Sequence, residues 1–253
     1  MFWIRKLHKW ASVIVGIQLL LWLISGLYFN LMDQHKAQGL TYRNDAPAEV
    51  AIETHRLVEP KTILASFKPS VSLNIITLLD KPYYLLTHEK GLYNNLNNDY
   101  SLIDAYDGNQ VVIDTTMAQR LAKASYSGEA EISSTLLLTP PLDDFPKQHN
   151  DTWQINFADN IDTSVYIEAQ SGRLVGHSDE HTRLADVFFM LHFMDYTNQG
   201  SFNNIPIMMF AFITLWLTFS GLIWVIDMLK RNRYRPKLKQ KLTRFSKYKS
   251  SLN

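Results

Sequence analysis

The chain has 253 residues, a formal net charge of +1 and no cysteine. Without cysteine it cannot close a disulfide, hold a thiolate-bound iron–sulfur cluster or attach a c-type haem. The small net charge hides a partition: residues 1–30 carry three basic side chains, residues 228–253 carry ten, neither segment carries an acid, and residues 31–226 have a net charge of −11.

Two uncharged apolar runs frame the chain, residues 10–32 and 205–226. At about 1.5 Å per residue, each forms a helix long enough to cross a bilayer core of about 30 Å. The apolar part of the first run is too long for a signal peptide, and no small-residue cleavage site follows it. The sequence therefore predicts two transmembrane helices, at 10–32 and 205–227.

The basic side chains next to these runs predict the orientation, because lysine and arginine near the ends of spans stay in the cytoplasm. The N-terminus (1–9) and the basic tail (228–253) are then cytoplasmic, and residues 33–204 face the periplasm from a bacterial inner (plasma) membrane. Since the tail leaves a span directly, anionic lipid is its expected partner and nucleic acid is not.

The periplasmic segment 33–182 is predicted to be an α+β domain of short helices and strands. A polar connector at 36–57 leads into it. The predicted helices are 59–67 and 115–125, and the predicted strands are 71–79, 83–88, a segment from 100, 132–139, 152–157 and 164–169. Asp80-Lys81-Pro82 is predicted to turn the first hairpin.

Two segments of this domain are similar at an offset of 64 residues, SLIDAYDGNQV at 101–111 and VYIEAQSGRLV at 165–175. Each has an aliphatic residue, an acid, alanine, two variable residues, glycine and a valine three residues later. A helix followed by about three strands, repeated at 58–112 and 113–176, predicts a duplicated α+β module.

The chain returns to the membrane through residues 183–204. The apolar segment 183–195 is too short to span, so it predicts an interfacial helix lying on the membrane surface, followed by a turn. Just before it, His177 and His181 have a spacing that could hold a metal on one helical face. Ser178, Asp179 and Glu180 between them favour a solvated turn and helix start instead.

These motifs, in this order, resemble the PepSY-associated transmembrane proteins. Leu7-His8-Lys9-Trp10, with Gly16 and Ser25-Gly26-Leu27, resembles their first helix, and VYIEAQSG at 165–172 resembles the signature turn of a PepSY module. Leu191-His192, Gly200 and Ser220-Gly221-Leu222 resemble their returning helix. The resemblance implies a two-span relative of larger inner-membrane reductases, some of which pass electrons through b-type haem to ferric siderophores.

The candidate haem ligands are His8 and His192, which the resemblance selects, and His35, which lies just past the outer end of the first span. His8 and His192 match the family's histidines, but they are predicted at opposite membrane faces and cannot bind one iron. His35 and His192 share the outer face and could, whereas His8 would need a partner from another subunit. The alternatives are an interfacial role for His8, a rim position on an amphipathic helix for His192 and a solvated position for His35.

The expected function is transmembrane electron transfer with haem b, as a component of a haem-dependent reductase that delivers electrons to ferric iron, a siderophore or a flavoprotein. The alternative is a non-enzymatic membrane anchor whose PepSY module binds a periplasmic protein or peptide. No hydrolase motif or glycine-rich phosphate loop is present. Gly16, Gly26 and Gly221, with Ser25 and Ser220, predict close helix packing within the chain, in a homodimer or against a partner subunit.

Overall fold

A computed structural model describes residues 2–44, 51–89, 98–197 and 203–230 of the chain. The basic tail beyond residue 230 lies outside the described residues. The helices are α1 (Phe2–Leu31), α2 (Gln34–Ala37), α3 (Pro60–Ser66), α4 (Thr115–Ser125), α5 (Glu180–Phe193) and α6 (Ile205–Lys230). The strands are β1 (Ser72–Leu78), β2 (Lys81–Glu89), β3 (Asp99–Asp104), β4 (Gln110–Val111), β5 (Ile132–Leu138), β6 (Thr152–Phe157), β7 (Ser164–Glu168) and β8 (Leu174–Ser178).

The chain divides into two compact units, Met1–Leu23 with Asn203–Asn253, and Ile24–Phe202. We call the first the helix-pair unit and the second the α+β unit. α1 contributes its first part to the helix-pair unit and its last turns to the α+β unit.

The helix-pair unit consists of α6 and the first part of α1. Lys6–Leu31 and Ile205–Lys230 are each 26 residues long and apolar enough to cross a membrane, and only 11% of each apolar window is buried. The helices run antiparallel, because Trp22 packs edge-on against Phe210 near the start of α6 while His8 bonds to Ser220 near its end. Exposed apolar side chains on two such helices suit contact with lipid.

The α+β unit contains two four-stranded antiparallel sheets, ordered β1-β2-β3-β4 and β5-β6-β7-β8. Each sheet is a meander preceded by a helix, α3 for the first and α4 for the second. The predicted α+β class and its duplication are thus confirmed, with four strands in each repeat instead of about three. Of the additional strands, β4 has only two residues, and β8 (LVGHS) is interrupted by Gly176, so neither gives a clear hydrophobic alternation.

The two repeats end their third strands in the same turn. Gly108 and Gly172 both have positive φ, +75° and +69°, and their amides bond to the carbonyls of Asp104 and Glu168 at 2.9 Å. This left-handed conformation favours glycine because it has no Cβ. The similarity of 101–111 to 165–175 therefore reflects one backbone turn used twice.

Two apolar cores stabilise the unit, one on each face of the first sheet. Alternate residues of β2 and β3 point to opposite faces: Tyr84 and Ile103 pack with α3 in one core, while Tyr83 and Leu102 pack in the other. The second core also contains α4 and the inner face of the second sheet. α4 thus joins the repeats through a shared core.

Two local predictions were wrong. The first hairpin turns at Leu79 and Asp80, and Pro82 is already paired with Thr77 in the sheet. The segment around His177 is not a solvated turn, because His177 lies in β8 at 4% exposure and Asp179 is 2% exposed. The helix start predicted for the same segment is confirmed, since Asp179 is the N-cap of α5. With His177 on a strand and His181 on a helix, the two do not share a helical face.

α5 begins at Glu180, three residues before the predicted start, because Asp179 accepts a hydrogen bond from the amide of Thr182. Its first part packs near α2, and Phe188 stacks on Tyr28 of α1 with ring centroids 3.9 Å apart. The position of this helix on a membrane surface stays a prediction.

Candidate functional site

His8 and His192, the two histidines in the family motifs, each form a hydrogen bond with a serine on a facing helix. In the helix-pair unit, His8 Nδ1 lies 2.9 Å from Ser220 Oγ. In the α+β unit, His192 Nδ1 lies 2.8 Å from Ser25 Oγ. We call these the His8 pair and the His192 pair.

The Ser220 hydroxyl also lies 3.0 Å from the carbonyl of Leu217, to which it can donate. When it does so, its oxygen accepts from Nδ1–H of His8. In the neutral imidazole this arrangement leaves the lone pair on Nε2. Neutral imidazole with a lone pair on one nitrogen and a hydrogen-bonded N–H on the other is the usual form of a metal ligand.

Aromatic rings surround the His8 imidazole. Trp224 meets it edge-on with ring centroids 5.9 Å apart, and Trp216 lies at 6.3 Å. The histidine is half-buried between them. The rings and the serine together restrict the orientation of the imidazole.

The His192 pair is built in the same way at the end of α5. Ser25 is 1% exposed, and the imidazole packs edge-on against Phe29 and Phe193 at 5.5 and 5.0 Å. His192 is itself half-buried.

In both pairs a glycine follows the serine and faces the histidine. A Cβ added at Gly26 would lie 3.9 Å from His192 Cε1, and one at Gly221 would lie 3.5 Å from His8 Cε1. Cε1 lies between the two ring nitrogens, so each glycine faces this edge of the imidazole. Gly16, in contrast, has nothing within 4 Å of its Cβ position.

The third candidate, His35, does not join the His192 pair. It lies exposed in α2, where its amide bonds to the side chain of Asp33. In the described part of the chain, no hydrogen bond or ring contact connects His35 with His192.

Among the described residues, no group of three or more His, Cys, Asp or Glu side chains is arranged to hold a metal ion. His177, the buried histidine of β8, bonds through Nε2 to Ser125 at 3.0 Å and so helps to join the second sheet to α4. The candidate site is thus two separate histidine–serine–glycine groups.

The sequence identified the histidines but not their partners. Ser25-Gly26-Leu27 and Ser220-Gly221-Leu222 were predicted only to allow close helix packing. The tripeptide Ser-Gly-Leu occurs once in each span, at 25–27 and 220–222. This repetition is the sequence signal that could have suggested two equivalent histidine–serine pairs.

Comparison with known proteins gives one family match. A family model described as the PepSY-associated TM region matches residues 2–226. No curated protein and no solved structure matches the chain. The match includes both apolar helices and the whole α+β unit, so the chain is a membrane protein.

Proposed function

The chain belongs to the PepSY-associated transmembrane family, and from this membership and the two histidine–serine pairs we propose that it takes part in transmembrane electron transfer with b-type haem. In this proposal it lies in a bacterial inner membrane with both termini cytoplasmic, and electrons leave to a periplasmic acceptor such as ferric iron, a siderophore or a flavoprotein. The observation that carries it is the anchoring of His8 and His192 through Nδ1.

This anchoring fits axial ligation. A serine hydroxyl on Nδ1 orients each ring, so that Nε2 is the nitrogen with which His8 and His192 would bind haem iron. The neighbouring Gly26 and Gly221 face the Cε1 edge of the two imidazoles. A bound b-type haem would supply a one-electron redox centre within the membrane.

A second protein ligand for each haem would have to come from another chain, because the described residues place one histidine in each pair. A second copy of the chain would supply an equivalent histidine.

The test is a visible absorption spectrum of the full chain, expressed with added haem, purified in detergent and measured before and after dithionite. We expect a Soret band that shifts on reduction, with sharp α and β bands. His8→Ala and His192→Ala are each expected to remove about half or more of the Soret absorbance per chain, because each removes an axial ligand.

Two control variants make the result specific. His55→Ala removes an imidazole whose side chain is 79% exposed, and it should leave the spectrum unchanged. His35→Ala should also leave it unchanged, whereas loss of haem in that variant would place the outer ligand within one chain. A flat spectrum of the unsubstituted protein would overturn the haem proposal and favour the non-enzymatic anchor that binds a protein or peptide.

A further inference from the structure

The α+β unit contains a cavity of about 530 Å³ that neither histidine pair lines. It lies between α5 and the loop after β5, and the turn between β7 and β8 contributes Arg173 to its wall. Its volume is within the range of small-molecule sites, about 300–1,000 Å³.

Most of the charges that line the cavity already have partners. Asp144 accepts a hydrogen bond from the Tyr166 hydroxyl at 2.9 Å and pairs with Arg183 at 3.4 Å. Arg173 pairs with Glu168 at 3.4 Å and bonds to Gln148 at 3.0 Å. Because Asp144 and Arg173 already have these partners, neither is the natural binding group for a ligand.

Asp186 differs from them. In the described residues it forms no hydrogen bond and no ion pair, and its carboxylate adjoins Asp144. Burial, together with the negative charge of Asp144, raises the pKa of Asp186 to about 6. Although its carboxylate is partly desolvated, the residue as a whole is exposed to solvent, so a ligand can reach it. Asp186 therefore has no counter-ion, and the cavity has room for a ligand that would supply one.

The apolar wall next to Asp186 suits a cation. Phe189 and Met190 follow one turn later on α5, and Phe145 faces the cavity from the loop. Tyr166 holds the Phe145 ring at 4.9 Å, and Gly176 makes room for it, since a Cβ there would lie 2.7 Å from the ring. Aromatic faces attract organic cations through the ring quadrupole, and methionine adapts its shape to the apolar body of a ligand.

We propose that this cavity binds a small organic cation, an ammonium or guanidinium group on an apolar body, with Asp186 as its counter-ion. An anion would meet four carboxylates there. The charged groups that line the cavity are Asp143, Asp144, Asp186 and Asp195 against Lys147 and Arg173. Of these, Asp195 is only 2% exposed, which places a further carboxylate deep in the wall.

The test is calorimetric titration of the full chain in detergent with 2-phenylethylamine, with 2-phenylethanol as the uncharged analogue. Because the readout is binding heat, the result does not depend on haem content. We expect the amine to bind at least tenfold more tightly than the alcohol, and Asp186→Asn to weaken amine binding at least tenfold. Equal affinity for amine and alcohol, or no amine binding up to about 10 mM, would overturn the proposal.

A matched variant controls for general charge. Glu129 is exposed, lies outside the cavity and forms no ion pair or hydrogen bond within the described residues. Glu129→Gln removes one negative charge from the same unit and should leave amine affinity unchanged. If Glu129→Gln and Asp186→Asn weakened binding equally, a nonspecific charge effect would replace the proposed site.

The ammonium group could belong to a soluble amine or to a phospholipid headgroup. Repeating the titration in nanodiscs of phosphatidylethanolamine and of phosphatidylglycerol separates these sources. Binding of 2-phenylethylamine that is weakened only by phosphatidylethanolamine supports the headgroup as the occupant. Equal binding in both lipids supports a soluble amine.

Discussion

At the scale of single residues, Asp186 lowers the stability of the protein in which it sits. Its pKa is raised from an ordinary value of 3.8 to about 6 by burial and by Asp144. Folding therefore favours the protonated form, and the charged form carries a free-energy cost at any pH above the folded pKa. A carboxylate that lines a cavity although its charged form lowers the folding stability is typical of a binding site.

Asp186→Asn is therefore expected to stabilise the protein at pH 7.5, by roughly 1 kcal/mol after allowance for solvent screening. The sign follows from the raised pKa. As pH falls through about 6, the Asp186 carboxylate of the wild type takes up a proton, and the difference in stability between the two proteins shrinks. Below pH 3.8 the difference disappears, because the unfolded chain is protonated as well. Thermal unfolding in detergent at pH 7.5 and pH 4 measures both effects.

Glu129→Gln is the reference for that comparison, since it removes an exposed carboxylate and should not change the midpoint at either pH. A lower midpoint for Asp186→Asn at pH 7.5 would show that an interaction of the charged carboxylate outweighs its desolvation.

At the scale of elements, the repeated turn after β3 and β7 connects sequence to packing most directly. Gly108 and Gly172 share the same left-handed backbone and differ in their surroundings. A Cβ at Gly172 would lie 2.8 Å from Leu78 Cδ1 and 2.9 Å from Ile113 Cδ1, whereas at Gly108 the nearest atom is Ile63 Cδ1 at 3.4 Å. The turn at Gly172 thus packs directly against the core that the two repeats share.

Alanine substitution at Gly108 and Gly172 should distinguish the free-energy cost of the left-handed backbone from the cost of steric crowding. Gly108→Ala is expected to cost about 1 kcal/mol, from the left-handed backbone alone. Gly172→Ala should cost roughly 2–3 kcal/mol, because Leu78 and Ile113 must also move. Thermal unfolding of both variants in detergent, followed by circular dichroism, measures which variant loses more stability. Equal losses of stability would show that backbone strain alone accounts for both.

The elements also show what the sequence could predict. α4 was predicted at its observed bounds from its periodic apolar face, and in the structure the side chain of Asp114 caps its first turn. The Leu79–Asp80 turn was missed because a leucine at φ +55° gives no turn signal, and Pro82 suggested a turn where it lies in a strand. The burial of His177 depends on packing against Ser125, 52 residues away, which no local pattern reveals.

The same limit applies to the candidate sites. Family motifs identified His8 and His192, but their serine partners are 212 and 167 residues distant in sequence. The cavity was not predicted at all, because Asp143, Arg173 and Asp186 meet only after α5 folds beside the loop and the second sheet. Long-range contacts of this kind leave no periodic signal.

At the scale of the whole molecule, charge is the feature that decides orientation. Three basic side chains precede the first span, ten occupy residues 228–253, and the acidic surplus lies between the spans. Positively charged flanks remain in the cytoplasm, and anionic lipids on that side attract each lysine or arginine by about 1 kcal/mol. Both ends of the chain should then be cytoplasmic and the α+β unit periplasmic.

The absence of cysteine allows a direct test of this topology. Glu129→Cys places a single thiol on an exposed site of the α+β unit, and Ser251→Cys places one near the C-terminus. In bacterial spheroplasts, a membrane-impermeant maleimide should label the first variant strongly and the second only after lysis, while the cysteine-free parent gives the background. The opposite pattern would put the α+β unit, with its cavity, in the cytoplasm and would reverse the proposed direction of electron transfer.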